Sequence, residues 1–165
     1  MMKKLSIFLI VCVLFSSNVF SESDDPGPLK LKGFFLGMGK SEVNKVFQKL
    51  KSDEVAKYIS IESSEFRDLI QLDDEFSSMG NKIELNYDES GKVTHIKFQY
   101  KTAAILFKAG EISAEEFVDK FSEEYEIPEM EFKDMGIVKT WSYSDEIRKF
   151  SLSIDDNMNI TLKKL

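Results

Sequence analysis

The chain has one cysteine, one histidine, one tryptophan and three prolines in 165 residues. One cysteine forms no disulfide within the chain, and one histidine builds no histidine-rich metal site. No serine lies in a Gly-x-Ser-x-Gly turn, so that signature of an activated serine is missing. The longest apolar run, 5–15, is shorter than the roughly 20 residues a bilayer-spanning helix needs. Positive charge is also scarce, with 22 Lys and Arg against 29 Asp and Glu, a net of −7. An acidic chain repels nucleic acid and anionic lipid surfaces. No basic patch interleaved with aromatics offsets that charge. Neither a nucleic-acid partner nor a membrane span is expected.

At the N-terminus, Lys3 and Lys4 precede the apolar run, and Ser16-Ser17-Asn18 follows it. This is the layout of a secretory signal peptide. Val19 and Ser21 stand where a signal peptidase takes small residues, which predicts a signal over 1–21 cleaved near Ser21. Cys12 then leaves with the signal. Its context, Leu9-Ile10-Val11-Cys12, has a bulky valine where a lipidated cysteine wants a small residue. The mature chain has 144 residues and a charge of −9 rather than −7, because the signal holds two lysines and no acid. A cysteine-free exported domain must be held together by its core, which suits a periplasm. The expected location is periplasmic or secreted. A lipid-anchored envelope component is the alternative if Cys12 is modified.

Residues 22–28, Glu-Ser-Asp-Asp-Pro-Gly-Pro, form a polar, proline-broken lead that predicts flexibility. One α+β domain is expected over 29–165. Val43, Val46, Phe47 and Leu50 recur on one face of a helix with Gly39 as N-cap and Glu42 at its third position. Ser113-Ala-Glu-Glu116 is a capping box, Ile112 can staple onto Phe117, and Phe117, Phe121 and Tyr125 mark a second buried face before Pro128. A weaker helical pattern covers 64–72, where Phe66, Leu69 and Ile70 share a face.

Alternation predicts strands over 82–87, 92–100, 137–143, 149–154 and 158–164, with 58–62 a further candidate. Asp88-Glu-Ser-Gly91 and Asp155-Asp-Asn157 read as hairpin turns. The fold class is therefore α+β, with helices packed on one face of an antiparallel sheet and two similar α-β-β-β halves. The two helix starts, Gly39 and Ser113, lie 74 residues apart.

The stretch Gly33-Phe-Phe-Leu-Gly-Met-Gly-Lys-Ser41 ends like a phosphate-binding loop, but that loop requires glycine at position 34, where this chain has Phe. The glycines instead predict a tight turn with Gly39 capping the helix. Through Leu36, Gly37, Met38, Glu42 and Val43, the stretch resembles the helix entry of small bacterial envelope proteins in which helices pack on an antiparallel sheet. The outer-membrane-assembly lipoproteins and the β-lactamase-inhibitor-protein fold belong to that group. The hairpin over 83–98 is similar to their first strands. Gly39, where those proteins often have Ser or Thr, and the absent lipidation motif are departures. The resemblance implies a non-catalytic envelope module acting through protein contacts.

No catalytic residue, metal ligand or cofactor is expected. Asp73-Asp74-Glu75, Glu123-Glu124 and Asp155-Asp156 read as solvated turns and helix faces, and Asp155-Asp-Asn157 lacks the spacing of a calcium loop. A carboxylate-dependent hydrolase of an envelope polymer, the second function considered, needs two acids across a cleft. Trp141 is expected in or near the core. Alternation places Glu84, Asn86, His95, Lys97 and Gln99 on the polar side of one hairpin, with Thr140, Ser142, Ser151, Ser153 and Thr161 on that of the last strands. If these strands join one sheet, they form a broad polar face. The expected function is an exported binding or inhibitor-like module, its partner another envelope or secreted protein, its oligomeric state left open.

Overall fold

The computed structural model describes residues 26–53, 59–72 and 80–165. The signal with Cys12, the acid run 73–75 and the start of the strand expected at Tyr58 lie outside the described residues. The glycine-rich stretch forms a turn. Lys32 and Gly33 both take positive φ, 50° and 94°, and Leu31 and Phe34 exchange backbone hydrogen bonds of 2.8 and 3.0 Å across them. This is the backbone of a primed hairpin turn, in which glycine removes the clash at the second position. Phe34, at the place of the first glycine of a phosphate loop, is fully buried.

Helix α1 (Lys40–Ser52) begins at Gly39, whose N–H donates to Glu42 Oε2 at 2.8 Å, and it buries Val43, Phe47 and Leu50. Helix α2 (Tyr100–Phe107) stands where the sequence predicts the end of a strand. Helix α3 (Ala114–Glu124) begins at Ser113, whose Oγ accepts from Glu116 N–H at 3.1 Å, and it buries Phe117, Val118 and Phe121. The strands are β1 (Ser60–Ser63), β2 (Arg67–Gln71), β3 (Lys82–Tyr87), β4 (Val93–Phe98), β5 (Glu131–Asp134), β6 (Lys139–Asp145), β7 (Phe150–Asp155) and β8 (Ile160–Lys164).

These eight strands form one antiparallel sheet in the order β1-β2-β3-β4-β8-β7-β6-β5. That order is a palindrome of two meanders meeting at β4 and β8, each preceded by helix. Each half has four strands where three were expected, because β2 and β5 complete them. The helix expected over 64–72 is corrected by β2. Ile70 pairs with Ile83 and Asp68 with Leu85, so ladder pairing to β3 decides this segment. The two inner hairpins share one turn chemistry. Asp88 Oδ1 accepts from Ser90 and Lys92 N–H at 2.9 and 3.0 Å, and Asp155 Oδ1 accepts from Asn157 and Asn159 N–H at 3.0 and 2.9 Å. Gly91 and Met158 take the left-handed position before each return strand.

The buried apolar residues of the strands share one face. In register across the sheet run Ile70, Ile83, Phe98, Ile160, Ile154 and Trp141, with Leu85, Ile96, Leu162 and Leu152 one step along. The buried residues of α1 and α3 belong to the same hydrophobic cluster. Phe107 joins the layers, its ring 5.3 Å from Phe98 and 5.6 Å from Phe121. A β-bulge at the start of β4 leaves Thr94 between Val93 and His95, so that Val93 and Ile96 are both buried.

Candidate functional site

Strand alternation that sends the apolar residues to the core sends the others to the opposite face. On β3 and β4, Glu84 stands across from Lys97 and Asn86 across from His95. The ladder continues to β8, where His95 faces Lys163 and Lys97 faces Thr161. Ser151 then faces Lys163 and Ser153 faces Thr161. Beyond them Ser142 lies opposite Ser153, and Ser144 opposite Ser151. Thr140 faces Lys133 on β5. All but one of the sequence-derived site residues therefore lie on one continuous polar face.

The exception is Gln99. The strand expected to run to residue 100 ends at Phe98, and Gln99 becomes the N-cap position of α2. Its Oε1 accepts from Gly80 and Lys82 N–H at 3.1 and 3.3 Å, so its side chain ties the start of β3 to α2. Lys163, Ser144 and Arg67 were missed. Lys163 and Ser144 extend alternations already visible in their strands. Arg67, which pairs with Glu84 at 3.2 Å, was hidden by the helical reading of its segment.

His95 carries the most distinctive electrostatics of this face. Asn86 Nδ2 lies 3.2 Å from its Nδ1, so Nδ1 accepts and the neutral ring carries its proton on Nε2. Nε2 is buried and has no hydrogen-bond partner among the described residues. Burial lowers the imidazole pKa below its ordinary value, Lys163 lowers it next, Glu84 opposes the shift and Lys97 adds to it. His95 is thus neutral at pH 7. No serine hydroxyl hydrogen-bonds it among the described residues, so the face holds no assembled serine–histidine pair.

The acids have local partners. Asp155 holds its turn and also accepts from Asn159 Nδ2 at 2.9 Å, and Glu124 pairs with Lys32 at 2.7 Å. Among the described residues no three His, Cys, Asp or Glu side chains gather closely enough to hold a metal ion, and no helix is long and apolar enough to cross a membrane. Trp141 lies buried on the apolar face, 5.1 Å from the ring of Phe132.

The β6–β7 part of the polar face is a low, hydroxyl-rich strip, and the β3–β4–β8 part is charged and amide-bearing. Comparison with protein-family models, curated proteins and solved structures finds no match. Function has to be argued from the sheet.

Proposed function

We propose that this chain is an exported, non-catalytic module that binds another envelope or secreted protein on the polar face of its sheet. The observation that carries the reading is the composition of that face over β6, β7 and β8, where Ser142, Ser153 and Thr161 stand in register, Ser144 faces Ser151, and Thr140 faces Asp155. A solvated antiparallel face is ordinary. Water alone, however, does not favour short hydroxyl side chains over long charged ones. Short side chains lose little rotamer entropy when a partner orders them, whereas immobilising Lys or Glu costs about 0.5–1.5 kcal/mol each. A strip of donors and acceptors flanked by Lys97, Lys163 and His95 suits docking against a protein surface.

Two acids of this face favour binding over hydrolysis, since Glu84 is paired with Arg67 and Asp155 is occupied in its turn. Export rests on the signal-peptide layout of 1–21, and the resemblance of the 33–43 stretch to envelope modules points the same way. The test is Ser142→Arg and Ser153→Arg in the exported chain, with Gln48→Arg on the exposed side of α1 as control. Capture of the envelope partner should fall at least tenfold for the two sheet variants and stay unchanged for the control, with all three melting alike. Equal capture by all three variants would reject the sheet face as the binding surface.

A further inference from the structure

Among the described residues, strand β5 ends the sheet and pairs with β6 on one side only. The β5–β6 hairpin closes with Met135 N–H donating to the Val138 carbonyl at 3.1 Å. Along an antiparallel ladder, residues directing N–H and C=O to the partner strand alternate with residues directing them away. Counting back from Met135, Lys133 and Glu131 bond to β6, and the peptide groups of Phe132 and Asp134 point out of the sheet. Phe132 is 49% exposed although its ring rests on Trp141, and Met135 and Ile137 at the hairpin tip are 68% and 94% exposed. An uncovered strand edge with apolar side chains is a template for another strand.

We propose that β5 pairs antiparallel with β5 of a second copy, joining two sheets across a two-fold axis. The outward peptide groups permit four registers, with the axis at Glu131, Phe132, Lys133 or Asp134. An axis at Glu131 or Asp134 sets that acid against its own copy, and an axis at Lys133 sets lysine against lysine. Like charges directly opposite each other are unfavourable. The axis at Phe132 instead sets Glu131 against the second copy's Lys133, twice, and stacks the two Phe132 rings on the apolar face beside Trp141. Glu131 and Lys133 already lie 3.2 Å apart within the chain, so pairing gathers four charges of alternating sign. Among the registers that hydrogen bonding permits, charge and apolar exposure select this one, and a second copy of the strand satisfies all three requirements. Dimerisation would also double the width of the polar face.

The test is sedimentation equilibrium of the full exported chain over rising concentration, with thermal melts of every variant. The wild type should approach twice the monomer mass. Glu131→Lys and Lys133→Glu should each weaken self-association at least tenfold. An equimolar mixture of the two should dimerise again, because both cross-strand charge pairs become complementary. Phe132→Pro, which removes an outward N–H and no bond to β6, should leave a folded monomer. A wild type that stays monomeric throughout, or a mixture of the two charge variants that fails to associate, would overturn the proposal. So would a dimer that survives Phe132→Pro.

Discussion

Tyr87→Phe is the substitution whose cost follows most directly from the structure. Asp68 is 2% exposed on the apolar side of β2, opposite Leu85. Its Oδ2 accepts a hydrogen bond from the Tyr87 hydroxyl, and its Oδ1 has no partner among the described residues. Burial, then the hydrogen bond and charge of Asp68, push the phenol pKa well above its usual range, so Tyr87 remains a donor at any ordinary pH. Tyr87→Phe deletes this donor and leaves both carboxylate oxygens bare in a buried site. A hydrogen bond to a charged group contributes about 1.5–3 kcal/mol, so the expected loss is about 2–3 kcal/mol. For a domain of this size that corresponds to a fall in Tm of roughly 5–10 °C. Asp68→Leu combined with Tyr87→Phe removes both polar groups and should return stability to within about 1 kcal/mol of wild type. Urea unfolding followed by the fluorescence of Trp141, with thermal melts, measures all corners of the cycle. A Tyr87→Phe variant as stable as wild type, or a double variant destabilised by the sum of the singles, would refute the reasoning.

Three further outcomes are expected. Gly80 has φ 88° and its carbonyl accepts from Lys101 and Thr102 N–H at 2.8 and 3.3 Å, while an added Cβ would lie 1.9 Å from the Tyr100 ring; Gly80→Ala should cost about 2–4 kcal/mol through backbone strain and ring displacement, measurable by urea unfolding. Ser113→Ala removes the 3.1 Å cap of α3 and should cost about 1 kcal/mol, with Ser113→Asp recovering most of it. The lowered pKa of His95 means that the unfolded chain takes up its proton first as pH falls. This contribution to stability is therefore complete above the ordinary value of 6.5 and declines as pH drops from there towards the folded-state pKa. His95→Gln should flatten the pH dependence of the urea midpoint in that window, and equal slopes for variant and wild type would contradict the assignment.

The capped helices and inner hairpins were legible because their signals are local. Ser113 with Glu116, Gly39 with Glu42, and the Asp88 and Asp155 turns each make their defining hydrogen bonds within four residues. Strand β2 was not legible because its alternation is inverted. Leu69 stands on the polar face and Asp68 on the core face, so the apolar spacing imitates a helix until register with β3 is known. Strand β5 is exposed along its whole length and is a strand only through pairing with β6. Helix α2 is not capped by the side chain of Gln99, and its first turn is held from far along the chain, by the carbonyl of Gly80 and by Asn159 Oδ1, which accepts from Tyr100 N–H at 2.9 Å. Most of the polar face was legible because period-2 alternation survives in β3, β6, β7 and β8. Gln99 was misplaced because alternation cannot reveal where a strand gives way to a helix.

Site-specific photocrosslinking of the full chain in the cells that produce it tests the proposed binding face most directly. A photoreactive side chain is placed in turn at Ser153 and Ser142 on the polar face and at Gln48 and Asp119 on the exposed sides of α1 and α3. Crosslinks to one protein from the two sheet positions, and none from the helices, are the result expected of a module that binds through its sheet. Crosslinks from the helix positions alone would place the interaction on the opposite side of the molecule and contradict the account.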